Sequence, residues 1–432
     1  MTGATGKSRA VRIDPATFPD PVREVARALE QGGWATRVAG GAVRDLLLGK
    51  SPHDWDLATA ALPEDVGQLF DAAHDVGAAF GTTVVVVGGL SMQVTTFRKE
   101  TGYKDRRHPD QVVYADSPEE DARRRDFTVN ALFADPDTGQ VLDVFDGLGD
   151  LRARRIRAVG DPGDRLAEDA LRVLRAVRFC AQLGFVMDPD TARAVRAQAG
   201  SLASVSAERI FEELSRILTG PRPVEGIAQA EALGVLAVIL PEVSAMRGTR
   251  QDAGFHPEGG VGSHTLMTLG HLPPRPSPRL AWAALLHDIG KPPTRFETDR
   301  ARFHGHEVVG VEMAQAVMER LRAPRLLCKD VCWLIEKHLW VARLPEMRMG
   351  KRRAFLLRED ADDLLSLYRA DSMASHGQIG VLDFAAEERA AMAEQPVIEA
   401  PLLTGRDVLK AGMAPGPPVG EVLAEARLLE LE

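Results

Sequence analysis

The sequence predicts an α/β head, a mixed sheet flanked by helices, followed by an elongated all-α body. Three observations predict it. Apolar, β-branched runs alternate with short helical segments up to about residue 150. From about residue 151 those runs stop, and apolar residues recur at spacings of three and four. Pro/Gly-rich breaks then divide the helical part at "RGTRQDAGFHPEGGVG", "LPPRPSPR" and "KAGMAPGPPVG". These limits give an N-terminal extension at 1–25, an α/β head at 26–150, a helical neck and body at 151–245, a histidine-rich helical domain at 246–380 and a helical tail at 381–432. The chain shows no internal repeat and no low-complexity tract.

Each element has its own signal. "WATRVAG", "TTVVVVGG" and "SMQVTTFR" read as strands bounded by Gly and Ser turns. "AVRDLLLG" and "PEDVGQLFDAA" read as helices between them, the second opened by Thr59 or a neighbour and by Pro63 in its first turn. "AEDALRVLRAVRFCAQLGF", "AERIFEELSRIL" and "EGIAQAEALGVLAVIL" read as amphipathic helices.

Composition narrows the function classes. Apolar residues make up 45% and charged residues 27% of 432, as in soluble globular proteins. No signal peptide is visible, and no apolar run is long enough to span a bilayer. The three cysteines, Cys180, Cys328 and Cys332, form neither a disulfide framework nor a zinc pattern. They read as buried thiols in a reducing cytosol, which implies a cytoplasmic protein. A net charge of -9 argues against non-specific coating of nucleic acid. Basic clusters between residues 98 and 178 are roughly balanced by acids in the same stretch.

The segment "RVAGGAVRDLLLGKSPHDWDLAT" carries the first chemistry. If "HDWDLAT" is a strand, Asp54 and Asp56 project side by side, while Trp55 and Leu57 face the core. Two such carboxylates repel each other, and a divalent cation relieves the repulsion; oxygen-only ligands suit Mg²⁺. Two ions held this way can activate an attacking hydroxyl and stabilise a leaving pyrophosphate. Gly40 and Gly41 end a strand and open a helix, letting backbone N–H groups approach a phosphate, with Arg44 one turn further on to add a charged fork.

These residues resemble the signature of class II tRNA nucleotidyltransferases (CCA-adding enzymes) and bacterial poly(A) polymerases. The resemblance continues through "VTTFR", "RRDFTVNAL", "DVFDG", "EDALRVLRAVRF" and "SAERIFEEL", over roughly residues 30 to 220. It implies a nucleotidyltransferase head at 26–150 and base recognition and RNA binding in the neck. Arg125, Asp126 and Asn130 would shape the nucleotide site, Asp126 near the ribose 2′-hydroxyl; an Arg–Asp pair tying helix to sheet is the other reading of Arg125. Asp169 and Arg172, three apart on a helix, share a face. A carboxylate accepting from an exocyclic amine and a guanidinium donating to the adjacent ring nitrogen would read cytosine or adenine and reject guanine and uracil. The resemblance assigns that template to Asp169 and Arg172, with Arg175 and Arg178 supporting it or meeting phosphate. An ordinary helix salt bridge has the same spacing. Residues 98–121 resemble the flexible loop that helps such a pocket change from C to A. Relatives often carry Glu before "VTTFR", where this chain has Gln93, so the metal-facing carboxylates reduce to two.

In the helical part, the order of His264, the His287–Asp288 pair in "LLHDIGK" and Asp371 resembles HD-domain phosphohydrolases. An adjacent His–Asp pair inside an apolar helix is costly to bury without a partner. The resemblance makes His264, His287, Asp288 and Asp371 ligands of a divalent metal of unspecified identity. Lys291 would meet phosphate, and His306 and His338 would hold a second metal or the phosphate. The expected activity is template-independent addition of CCA to tRNA from CTP and ATP, with Lys351, Arg352 and Arg353 helping to grip the tRNA. Poly(A) synthesis or CC- or A-only addition stays open, as do an HD phosphohydrolase with a silent head and a non-catalytic RNA-binding protein. No membrane partner is expected, and the sequence leaves the oligomeric state open.

Overall fold

The structure is a computed structural model that describes residues 11–77, 81–101, 111–252, 259–297, 301–394 and 401–431. The chain divides into two compact units, Met1–Val205 and Ser206–Glu432.

The first unit is built on a mixed sheet. Its N-terminal half runs α1 (Asp20–Gln31), β1 (Thr36–Ala39), α2 (Gly41–Leu47), β2 (Trp55–Thr59), α3 (Pro63–Leu69), β3 (Ala73–Gly77), β4 (Thr82–Val87) and β5 (Leu90–Thr96). There follow β6 (Arg98–Thr101), β7 (Gln111–Tyr114), α4 (Pro118–Arg123), β8 (Leu132–Ala134), β9 (Val141–Asp143) and α5 (Gly147–Ala153). Among the described residues the sheet order is β3-β4-β5-β2-β1-β8-β9. Only β2 and β5 pair in parallel, with Asp56 opposite Gln93; the other pairs are antiparallel. Trp55 and Leu57 are buried as the alternation predicts, and Trp55 packs against Phe18 with ring centroids 6.1 Å apart. The amphipathic α1 contributes Val22, Val25, Ala26 and Leu29 to the core, one face of a helix.

Several local expectations need correction. The second helix is opened by Leu62, whose N–H donates to Asp65 Oδ2 at 2.9 Å, and not by Thr59. β2 begins at Trp55, so Asp54 stands on the bend before the strand. Residues 98–121 supply the paired strands β6 and β7 and then α4, where a polar loop was expected; residues 102–110 of that stretch lie outside the described residues. Short β-pairs also persist beyond 151: β10 (Arg155–Ile156) joins β11 (Val186–Met187) in parallel. Three helices complete this unit: α6 (Pro162–Glu168), α7 (Leu171–Leu183) and α8 (Pro189–Gln198).

Among its described residues the second unit is helical apart from a two-residue β-pair at Phe296–Glu297 and Ala301–Arg302 and an isolated bridge between Arg250 and Gly260. It begins with α9 (Ala207–Leu218), α10 (Pro223–Ala232), α11 (Val235–Ile239), α12 (Pro241–Ala245), α13 (Val261–Gly270), α14 (Pro278–Leu286) and α15 (Lys291–Thr294). It continues with α16 (His306–Arg320), α17 (Arg325–Lys337), α18 (Met349–Leu356), α19 (Ala361–Ala374), α20 (Gly380–Glu394), α21 (Gly405–Lys410) and α22 (Pro417–Glu430). α14 is buried on every side from Leu280 to Leu286, as its unbroken apolar sequence requires. Its Trp282 stacks on Phe211 at 5.4 Å and donates its indole N–H to Ser215 Oγ at 3.0 Å, so the buried ring keeps its polar atom satisfied. No helix among the described residues is long and apolar enough to cross a membrane. Cys180 is buried, but Cys328 and Cys332 are only half-buried, one turn apart on α17; burial pushes the Cys332 thiol up to about 12.

Candidate functional site

In the first unit the sheet delivers Asp56 and its neighbours to one place. Asp54 is exposed and Asp56 half-buried. Burial raises the Asp56 carboxyl above its ordinary range, the Arg125 charge offsets part of this, and Asp54 adds repulsion. The pair is therefore electrostatically unsatisfied, which fits a site for a divalent cation. Gln93 stands beside Asp56 on β5 and adds no charge.

Gly40 ends β1 with φ +67, and a Cβ there would lie 2.7 Å from an Arg125 nitrogen. Gly40 is thus needed both for its backbone conformation and for Arg125's approach. Gly41 has only ordinary contacts and opens α2 without a capping side chain.

Behind this edge runs a buried polar chain. Arg44 Nη1 donates to Asn130 Oδ1 at 2.6 Å, and Asn130 Nδ2 donates to Asp126 Oδ1 at 3.1 Å. Arg175 closes the chain with Nε on Asp126 Oδ2 at 2.9 Å. Burial alone would raise the Asp126 carboxyl, but Arg175 and its hydrogen bonds hold it well below the carboxylate range. Arg44, Arg175 and Arg178 all lie over the Phe179 ring, the last at 4.0 Å. Arg44 is 5% exposed and engaged with Asn130 and Asp45. Arg125 matches the helix-to-sheet reading: it pairs with Asp121 at 3.0 Å, donates to the Asn130 carbonyl and covers Phe133.

Asp169 and Arg172 do not share a helix. The chain breaks between α6 and α7, where Asp169 is extended and its Oδ1 accepts from Leu171 N at 3.0 Å. Arg172 is buried at the start of α7, donating to Glu168 and to the carbonyls of Arg165 and Arg124. Asp121, Glu168 and Phe179 are the participants that sequence reasoning missed. Glu168 and Phe179 open and close "EDALRVLRAVRF" and Asp121 ends the 98–121 stretch, but linear position assigns none of the three a role there, because only the fold sets their partners.

In the second unit, His264, His287 and Asp371 form one group and Asp288, His306 and His338 another, each with its ligand atoms within 4.8 Å. The four expected residues are thus brought together with the two further histidines, but divided differently, Asp288 siding with His306 and His338. The His287–Asp288 pair follows the end of α14 and is not inside it. Nδ1 of His287, His306 and His338 lies 2.9, 2.9 and 2.6 Å from the carbonyls of Ala284, Phe303 and Ile335. A carbonyl only accepts, so Nδ1 carries the proton in each ring and the Nε2 lone pair remains for an electrophile. His306 Nε2 is buried without a hydrogen-bond partner. Burial drives the His338 pKa down to about 4 and keeps it neutral. Burial also disfavours charge on His287, but Asp288 and Asp371 outweigh it and draw a proton to that ring. A divalent cation would displace that proton and take the freed imidazole nitrogens beside the ionised carboxylates as its donor set. Lys291 is ion-paired with Asp288 at 2.7 Å and hydrogen-bonded to Gln251. Of the expected RNA-gripping cations, Arg352 pairs with Glu388, Arg353 donates to the Leu431 carbonyl, and exposed Lys351 lies over Trp340.

Three family models match in succession. They are the poly A polymerase head domain at 36–157, the probable RNA and SrmB-binding site of polymerase A at 184–246, and the HD domain at 264–375. Over 213 residues the chain is 46% identical to the CCA-adding enzyme of Levilactobacillus brevis, covering 49% of this chain and 53% of that one. It is 43% identical over 221 residues to that of Limosilactobacillus reuteri, covering 51% and 54%. Over this matched segment the chain is similar to CCA-adding enzymes. The matched segment spans about half the length of these curated relatives. A Bacillus stearothermophilus CCA-adding enzyme, solved with CTP, superposes with a TM-score of 0.73 at 29% identity, covering 96% of this chain and 93% of that one. A Thermotoga maritima CCA-adding enzyme, solved with tRNA, shares the fold with a TM-score of 0.60 at 20% identity, covering 98% and 95%.

Proposed function

We propose that the protein adds C, C and A to the 3′ ends of tRNA without a nucleic-acid template, using CTP and ATP and releasing pyrophosphate. The observation that carries this reading is the pairing of half-buried Asp56 with Asp54 at the N-terminal end of the interior strand β2, with Arg125 packed on the β1–α2 turn beside it. Magnesium bound by Asp54 and Asp56 would supply activation of the RNA 3′-hydroxyl and charge neutralisation of the leaving pyrophosphate. The hydroxyl attacks the α-phosphate; a new P–O bond forms as the α–β anhydride bond breaks. Gly40 leaves room for Arg125 to stand beside the pair, and the Arg125 charge favours approach of the triphosphate. Asp126, Asn130 and Arg44 hold the rear wall of the site, with Arg175 and Arg178 fixed against Phe179. Asp169 and Arg172 read the base once Arg172 exchanges one of its protein acceptors for the ring nitrogen. In this reading residues 26–150 are the head, 151–245 the base-reading and RNA-binding neck, 246–380 the HD domain and 381–432 the tail.

A second activity is favoured by the histidine cluster. His264, His287, Asp288 and Asp371, with His306 and His338, would hold a divalent metal for hydrolysis of a phosphate ester, Lys291 balancing charge at Asp288.

The test uses three tRNA transcripts, ending at the discriminator base, after CC and after CCA, each with CTP, ATP or both. Three additions to the first, one to the second and none to the third are expected. Addition stopping at CC, A added only after CC, or long A tails would reassign the chain to a partial adder or a poly(A) polymerase. Replacement of Asp54 and Asp56 by Ala should lower addition by at least about a thousandfold. Retained addition in that variant would exclude the proposed site.

A further inference from the structure

Asp121 is fully buried in α4, the last residue of the 98–121 stretch, and its carboxylate is shared between two guanidinium groups. Arg124 Nε donates to Oδ1 at 2.6 Å. Arg125 reaches Oδ2 with both Nε, at 3.1 Å, and Nη2, at 3.0 Å. The backbone N–H of Arg98, at the start of β6, also points at Oδ1 from 3.4 Å. Burial alone would protonate such a carboxyl, but the two arginines hold it ionised and below its usual range.

The consequence lies on the far side of Arg125. That guanidinium is anchored at a second corner by the Asn130 carbonyl, at 3.2 Å, and is pressed over Phe133, 4.7 Å from the ring centroid. Its Nη1 packs where a Cβ on Gly40 would lie, just past β1, the strand paired with Asp56's own strand β2, yet it makes no ion pair with that carboxylate. A cation free to swing would pair with Asp56 and occupy the place of a metal. The two-point grip of Asp121 denies it that freedom, because an arginine held at both Nε and Nη2 cannot rotate about its last torsions.

We propose that Asp121 is a positioning residue for nucleotidyl transfer, holding Arg125 beside the Asp54–Asp56 pair while keeping it from neutralising Asp56. The proposal rests on the reading of that pair as the metal site. Asp121 touches no substrate; it acts only through Arg125.

The test compares Asp121→Asn, Asp121→Glu, Arg124→Gln and the double variant Asp121→Asn with Arg125→Gln, all below the melting temperature of the weakest. Two quantities are read against Mg²⁺ concentration: CTP binding by calorimetry without tRNA, and the addition rate with tRNA. In Asp121→Asn the half-saturating Mg²⁺ rises by about fivefold in both, the equilibrium shift of one half-exposed ion pair. Asp121→Glu and Arg124→Gln, which leave a carboxylate for Arg125, stay near the wild-type value. The double variant returns toward it, because the competing cation is gone. A lowered melting temperature with unchanged Mg²⁺ dependence would make Asp121 a purely structural residue and overturn the proposal. An Mg²⁺ shift that persists in the double variant would overturn it equally. Failure of wild-type protein to extend tRNA would count against the nucleotidyltransfer reading itself, a result distinct from either.

Discussion

At the scale of single residues, the site in the first unit depends on carboxylates whose environments push them in opposite directions. Asp56 is raised by burial, whereas at Asp126 burial is outweighed by Arg175, Asn130 and Arg172 together and the carboxyl is depressed. A carboxyl whose folded-state pKa lies below its unfolded value of about 3.9 stabilises the fold fully above about pH 4. That contribution is lost as pH falls through the depressed value. Asp126→Asn should therefore cost about 3 kcal/mol at neutral pH and flatten the loss of stability between about pH 4 and pH 2. Urea unfolding at a series of pH values measures this; an acid limb as steep as wild type would show that Asp126 does not carry it. The motif "RRDFTVNAL" marked Arg125, Asp126 and Asn130 as site residues. Their partners were hidden, since Arg175 reaches Asp126 from 49 positions away. A linear pattern records which polar residues are present, and only the fold decides which of them meet.

At the scale of elements, periodicity located strands and helices well and their ends poorly. β1, β4 and α3 fall inside the segments that predicted them, and β5 and α2 start only one residue earlier, because a buried apolar face fixes an element's interior. Ends are set by backbone hydrogen bonding, and there the reading failed. "AEDALRVLRAVRF" keeps helical spacing across Asp169, but the chain breaks there, and the Asp169 side chain caps Leu171 in place of a helical carbonyl. The His287–Asp288 pair lies just beyond α14 for a similar reason: Gly290 lets the chain turn under α16. A Cβ on Gly290 would lie 2.2 Å from the His306 carbonyl oxygen and 2.6 Å from Gly310 N, both backbone atoms that cannot move aside. Gly290→Ala should destabilise the second unit by about 1–3 kcal/mol and loosen the histidine cluster. Thermal unfolding and metal content after dialysis report the two effects. A variant with wild-type melting and wild-type metal content would mean that α16 does not approach Gly290 this closely.

At the scale of the whole molecule, the transition from alternating strands to helices was legible, but not the core to which each helix belongs. α5 to α8 carry helical spacing yet cluster with the sheet in the unit that ends at Val205. An amphipathic face shows that a helix is buried on one side and says nothing of what buries it. What the division implies for chemistry is sharper. Asp54 and Asp56 stand in one unit, and His264, His287, Asp288 and Asp371 in the other; on the proposed reading they would offer separate donor types, carboxylate oxygen alone in the first and imidazole with carboxylate in the second. Hard oxygen sites favour magnesium, whereas imidazoles favour transition metals, so the two sites should respond to different ions as well as to different substitutions. Asp54→Ala with Asp56→Ala should abolish nucleotide addition and leave transition-metal binding by the second unit intact. His287→Ala with Asp288→Ala should remove that metal and any phosphate-ester hydrolysis, while CTP and ATP addition in magnesium continues within about twofold of wild type. Addition assays, hydrolysis of a 2′,3′-cyclic phosphate and elemental analysis on all three proteins give the six comparisons needed. Loss of both activities in either variant, in protein that melts like wild type, would mean that the two sites do not act independently.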